Sequence, residues 1–243
     1  MSTDTINDHL VLIAGPSAVG KSASFMNLRN PEGVMYLGTE AGKRLPFKSK
    51  FREYKITDPF QVYQGLEAAD ANNDIHTVVI DSLSFLMEQY EAQYVINSAN
   101  GMKAWSDYQM FFKNLMQQYV AKSNKNILMT THTAQTMNES EMIIETKAVV
   151  KGALKGTGIE AYFSCVVGAK KLPLKALANY ESELLNITPE DELLGYKYLY
   201  QTKLTKDTVT ERIRSPMGMF ATNETYMDND AQKLLDRLHQ YYT

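Results

Sequence analysis

Apolar and polar positions along the chain fall into blocks with two different periods. Residues 9–15, HLVLIAG, form an almost continuous apolar run, as a strand buried on both faces does. The same pattern recurs at 34–39 (VMYLGT), 76–82 (HTVVIDS) and 126–132 (NILMTTH). Between these runs the spacing turns helical. Asp58-Pro59 opens a helix, with Asp as N-cap and Pro in the first turn, that is expected to run to about Ala71. A second helix is expected over 104–122, where apolar residues recur at helical spacing, and another from about Lys21. Strands alternating with helices predict an α/β fold, a mostly parallel sheet with helices on both faces.

The last third changes character. Residues 161–172, 196–204 and 208–215 read as strands that short loops would add in antiparallel fashion toward the C-terminus. An acidic insertion, ESELLNITPEDELLG at 181–195, carries five acidic residues and no Lys or Arg. An amphipathic helix is expected over about 228–242. No repeat and no long linker interrupts the pattern, so the expectation is a single domain over 1–243 with a core at about 9–226.

The loop after the first strand carries the chemistry. Gly15-Pro16-Ser17-Ala18-Val19-Gly20-Lys21-Ser22 matches G-x-x-x-x-G-K-[ST], and Ala23 continues it. Glycines at 15 and 20 let backbone N–H groups turn inward on phosphates. Lys21 is expected on the β- and γ-phosphates of ATP and the Ser22 hydroxyl on Mg²⁺. Asp81, at the C-terminal end of a buried apolar strand, is the expected carboxylate partner of the metal.

The loop GPSAVGKS also looks like that of guanylate kinases, which pass a phosphate between nucleotides. Three features favour hydrolysis. Glu40 lies just past the second strand, where a carboxylate can orient water. His132 ends the fourth, where a polar side chain can sense the γ-phosphate. No arginine-rich lid is evident.

Composition narrows the setting. The chain has 243 residues, a net charge of −3 and one cysteine, Cys165. A single cysteine forms no intrachain disulfide and suits a reducing compartment, so a cytoplasmic location is expected. MSTDTINDHL has neither the basic nor the apolar part of a signal peptide, and no apolar run reaches membrane-span length. The negative net charge means that any nucleic-acid site is a local patch.

The order GPSAVGKS, YLGTE, VVIDS, ILMTTH resembles the RecA-like ATPase core. KGTGIEAYFSCVVGAKKL and TVTERIRSPMGMF are similar to the segment after the second DNA-binding loop of recombinases, so the resemblance spans about 9–226. The ending RIRSPMGMF…YMDNDAQKLLDRL looks like the core-only bacteriophage proteins of single-strand annealing and recombination. The sequence departs from recombinases in carrying His132 where glutamine is usual, and about nine residues precede the first strand, which leaves no room there for a polymerisation arm. Annealing, or help to another recombination protein, is therefore expected over full strand exchange.

The resemblance implies partners: single-stranded DNA, further copies of the chain in a ring or short filament, and a single-strand-binding protein. It also implies that Arg212 and Arg214 reach the γ-phosphate of a neighbouring subunit. Two apart in a strand, they would share one face. DNA loops are implied near 98–103, with Lys103, and over 134–158, where Lys147, Lys151 and Lys155 would share one side if helical. Glu139, Glu141 and Glu145 offset that charge. Lys170, Lys171 and Lys175 form a second basic cluster, while Trp105 and Tyr108 read as packing residues. The competing readings are a RecA-fold helicase or other ring motor, a nucleotide kinase, and an assembly factor that binds ATP without turnover.

Overall fold

The computed structural model describes residues 7–40 and 42–243. The N-terminal stretch read for a targeting signal lies mostly outside them. The strands are β1 (Leu10–Gly15), β2 (Val34–Gly38), β3 (Arg52–Lys55), β4 (Thr77–Asp81), β5 (Asn126–Asn138), β6 (Ile143–Ala148), β7 (Cys165–Pro173), β8 (Tyr196–Gln201) and β9 (Tyr226–Asp228). The helices are α1 (Gln61–Asp70), α2 (Leu83–Tyr90), α3 (Gly101–Asn114), α4 (Leu154–Thr157), α5 (Pro189–Leu194) and α6 (Ala231–Tyr242).

The sheet runs β3-β2-β4-β5-β1-β7-β8-β9, with β6 paired to β5 alone. Pairings from β3 through to β7 are parallel, and β7–β8, β8–β9 and β5–β6 are antiparallel. This is the expected α/β class, with antiparallel strands added near the C-terminus.

The continuous apolar runs have a direct cause. In β1, Leu10, Leu12 and Ala14 enter one core with α1, α2 and α3, while Val11 and Ile13 enter the opposite core with α6. A strand covered on both faces needs apolar residues at every position. Helix starts follow the sequence too. Asp58 Oδ1 accepts from Phe60 N–H at 2.8 Å, one turn ahead of α1, and Asp230 Oδ1 accepts from the N–H groups of Gln232 and Lys233 to cap α6.

Several expectations change. In place of a helix from Lys21 there is one 3₁₀ turn, Ser22–Phe25. Asn30 then adopts a left-handed conformation (φ 47°) before Pro31, whose ring disfavours a helical residue ahead of it. The segment must also reach β2 by Val34.

Residues 208–215 are not a strand. Thr208 N–H donates to Thr205 O at 3.0 Å and Glu211 N–H to Thr208 O at 2.9 Å, so turn bonds occupy groups that a ladder needs. Only isolated bridges remain, Thr146 with Glu211 and Val166 with Arg214.

β5 runs six residues past His132 and pairs with β6 in a hairpin. Lys147 is therefore in a strand, Lys151 in a loop and Lys155 in the four-residue α4, so no shared helical side exists. Nor is 98–103 an open loop: Asn100 caps α3 by accepting from Lys103 N–H at 3.0 Å. Trp105 and Tyr108 pack in the core as expected. No helix among the described residues is long and apolar enough to cross a membrane.

Candidate nucleotide-hydrolysis site

Strand register brings the site together. Gly15 pairs with His132 across β1–β5, and Gly38 pairs with Asp81 across β2–β4. The C-terminal ends of four parallel strands thus meet around the Gly15–Ser22 loop, the place where such sheets bind ligands. Gly15 is required by close approach, since a Cβ there would lie 2.5 Å from Ala169 O. Gly20 is required by its backbone, at φ 84°. Because the following turn has only four residues, phosphate affinity rests on loop N–H groups and Lys21 rather than on a long helix dipole.

Lys21 is buried, at 7% exposure, and Nζ donates to Gly15 O at 2.8 Å and Pro16 O at 2.6 Å. Burial lowers its pKa to about 8; Asp81 and Glu40 oppose the shift and the Lys43 charge adds to it. The folded group therefore holds fewer protons than an unfolded lysine between about pH 8 and 10.5. Stability from this site rises across that window, as the cost of burying the cation fades. Phosphates next to Nζ restore the charge, so nucleotide binding at pH 9 is expected to take up a proton, and at pH 6.5 Lys21 takes up none. Calorimetry in buffers of different ionisation enthalpy measures this. Equal proton uptake at both pH values would place Nζ away from the phosphates.

Asp81 is 2% exposed and its carboxylate is fully engaged. Ser22 Oγ donates to Oδ2 at 2.6 Å, Tyr36 Oη donates to Oδ2 at 2.8 Å, and Thr130 Oγ1 donates to Oδ1. Burial and the adjoining Asp81 charge push the Tyr36 phenol far up, so it stays a donor. Tyr36 and Thr130 escaped the sequence reading. Their only signal is a polar group inside an otherwise apolar strand.

The Ser22 hydroxyl and Asp81 carboxylate are hard oxygen donors, which fits Mg²⁺ held partly through phosphate and water. Among the described residues no group of three or more His, Cys, Asp or Glu gathers that could hold a metal alone.

Glu40 and His132 face each other from neighbouring parts of the sheet. Glu40 Oε1 lies 3.7 Å from His132 Nε2, beyond hydrogen-bond range, and Glu40 Oε2 lies 2.5 Å from Lys43 Nζ. Thr39 fixes the backbone beside Glu40: its N–H donates to Asp81 O, and its Oγ1 bonds both N–H and O of Ser82. Gln89 Nε2 donates to Thr39 O at 2.7 Å.

His132 N–H donates to Ser84 Oγ at 2.9 Å, while Nε2 is buried with no hydrogen-bond partner. Burial, then the Lys21 charge, lowers the imidazole pKa, so His132 is neutral at pH 7 and offers a ring nitrogen to an incoming group. A cleft of about 460 Å³ spans the loop from Ser17 to Ala23 and reaches Glu40, Lys43 and His132.

The remaining candidates lie elsewhere. Arg212 and Arg214 do not line this cleft. Arg212 Nη2 pairs with Glu145 at 3.2 Å, Arg214 is exposed, and Ile213 between them is buried. Four of the seven lysines are ion-paired: Lys103 with Asp107, Lys147 with Glu145, Lys151 with Glu91, and Lys170 with Glu211. Lys171 Nζ sits 5.2 Å from the Tyr196 ring centroid, and Lys155 is exposed.

A strand–glycine loop–lysine arrangement with a buried carboxylate on the adjoining strands defines a P-loop ATPase domain. The protein family described as an AAA domain matches residues 8–164, a span that holds β1, the loop, Glu40, Asp81 and His132. The chain belongs to that family of P-loop ATPases. No curated protein matches it.

Proposed function

We propose that the chain hydrolyses ATP with Mg²⁺ to act on single-stranded DNA in recombination or strand annealing, as a bacteriophage-type RecA-like core whose sites are shared between copies. The length of β5 carries this reading. Its first half delivers His132 to the hydrolysis cleft, and its second half pairs with β6 from Thr133–Ala148 out to Asn138–Ile143. Val149 N–H closes back onto His132 O at 3.0 Å. One element thus joins the γ-phosphate end of the site to an outlying hairpin, placed where the resemblance expects the second DNA loop.

The hairpin also grips the arginine segment. Thr146 N–H donates to Thr210 O at 3.1 Å beside the Glu145–Arg212 pair. Bonds along the hairpin thus link the His132 end of the cleft to Arg212, a route by which nucleotide state would reach it. A single-strand-binding protein is the natural further partner of such an activity.

Charge sets the test. Lys147 and Lys151 are paired with carboxylates, so DNA phosphates must displace Glu145 and Glu91 as well as counterions. ATP turnover is expected to rise with single-stranded DNA, and the logarithm of DNA affinity to fall linearly with the logarithm of salt. Neutralising Lys147, Lys151 and Lys155 together should lower the slope by about 2, at about 0.7 per single-strand phosphate contact. An unchanged slope moves the contact to Lys170, Lys171 and Lys175. Turnover indifferent to DNA, with no DNA binding at low salt, overturns the reading.

A further inference from the structure

Strand order gives the cleft two ends. Glu40 follows β2 and His132 lies on β5, both to one side of β1. Tyr198 on β8 and Asn229, the residue after β9, line the same cleft from the other side of β1. With the γ-phosphate toward Glu40 and Asp81, the nucleoside of a bound nucleotide points toward Tyr198 and Asn229.

Asn229 Nδ2 donates to Gly20 O at 2.9 Å. That bond orients the amide and leaves Oδ1 as the spare acceptor, which is buried and has no hydrogen-bond partner. A buried acceptor without a donor is costly, and an arriving donor recovers that cost. Gly20, Asn229 and Tyr198 are packed at one point: a Cβ on Gly20 would meet Asn229 Nδ2 at 2.7 Å and the Tyr198 ring at 3.4 Å. Tyr198 is 38% exposed as a residue, with Lys171 Nζ 5.9 Å from its ring centroid. Asn229 stands on firm support. Its neighbour Asp230 caps α6 and also accepts from Asn27 Nδ2 at 2.8 Å, which ties the segment to the turn after the phosphate loop.

We infer that Asn229 and Tyr198 form a purine subsite that selects adenine: Asn229 Oδ1 accepts a hydrogen bond from the exocyclic amine at C6, and the Tyr198 ring lies against the base. Oδ1 is shielded from water, so the base reaches it only if the side chains over it move aside. Guanine carries a carbonyl oxygen at C6 and sets acceptor against acceptor, leaving both unpaired. The inference rests on the ATPase reading of the same cleft.

Equilibrium calorimetry with diphosphates tests it without turnover. The wild-type protein is expected to bind ADP about tenfold more tightly than purine riboside diphosphate, which lacks only the amine, and GDP more weakly still. Asn229→Ala should bind ADP and purine riboside diphosphate alike. Tyr198→Ala should weaken both by the same factor, and Tyr198→Phe should restore them.

Equal wild-type affinity for ADP and purine riboside diphosphate overturns the subsite, and that comparison needs no variant to fold. Preference for ADP retained in Asn229→Ala overturns the role of Asn229. If all three diphosphates bind equally and Lys21→Ala removes them all, the phosphate site stands and the base subsite alone falls. If none binds wild-type protein, the ATPase reading falls with it.

Discussion

Glu40→Gln is expected to leave nucleotide affinity near wild type while slowing hydrolysis by about 10²–10⁴-fold, the scale of a lost general base. The backbone beside Glu40 is pinned by Thr39 and Gln89, so the shorter-range consequence of the change is chemical rather than positional. Glutamine keeps the length and one acceptor oxygen, and gives up the charge that, on the proposed role, would take a proton from attacking water. Lys43, at 2.5 Å, loses its ion pair, and His132 loses the one carboxylate that raises its pKa, so the imidazole stays neutral at pH 7. Single-turnover phosphate release beside equilibrium ADP binding separates the steps. A large drop in the first with little change in the second assigns Glu40 to the water. Unchanged phosphate release assigns the water to another group, and the neutral imidazole of His132, 3.7 Å from the Glu40 carboxylate, is the candidate base beside it.

What the sequence shows about this site, and what it hides, follows from the range of the forces involved. β1 is legible because both faces are covered: Val11 and Ile13 serve one core, Leu10 and Leu12 the other, and each must be apolar. Gly15, Gly20, Lys21 and Ser22 are legible because phosphate binding constrains neighbours in sequence. Asp81 is legible because a carboxylate ending an apolar run has few other uses.

Tyr36 and Thr130 were hidden, since each reads as an ordinary strand residue until register sets it against Asp81. β3, with the sequence REYK, has no apolar alternation, and its pairing with β2 alone makes it a strand. The segment 208–215 alternates like a strand, yet Thr208 diverts it: its hydroxyl accepts from Thr205 N–H and from Gln201 Nε2, each at 2.8 Å. The turn after Lys21 is short for a similar reason. Local helix propensity yields to Asn30-Pro31 and to the distance left to β2. The lysines mislead most. Spacing of four suggests a stripe, whereas tertiary contacts give Lys147 and Lys151 separate acidic partners.

Mixing two inactive variants is expected to restore ATP hydrolysis if, as proposed, Arg212 and Arg214 complete the site of a neighbouring copy. Neither arginine lines the cleft of its own chain, and Ile213 between them is anchored in the core, so both project away from it. Arg212 is held by Glu145 on the hairpin, with its side chain 38% exposed, which leaves a guanidinium positioned for exchange between partners. A charge supplied by a second copy couples turnover to assembly. Specific activity should then rise with protein concentration, and rise further when DNA aligns the copies. Losing such a finger costs about 10³–10⁵ in rate where it has been measured in other P-loop enzymes. The mixture combines Lys21→Ala, dead at its own phosphate loop but carrying both arginines, with Arg212→Ala/Arg214→Ala, which keeps an intact loop. In a mixed assembly some loops of the second variant face arginines of the first, and those sites are complete. Activity that neither parent shows, growing with the ratio that maximises mixed contacts, establishes action in trans. If the two variants co-assemble and the mixture stays inactive, the arginines act within their own chain through Glu145 and the hairpin. Glu145→Gln then tells the two apart again: it frees Arg212, so it should raise turnover at low protein concentration if the arginine works in trans, and lower it if the ion pair itself sustains the site.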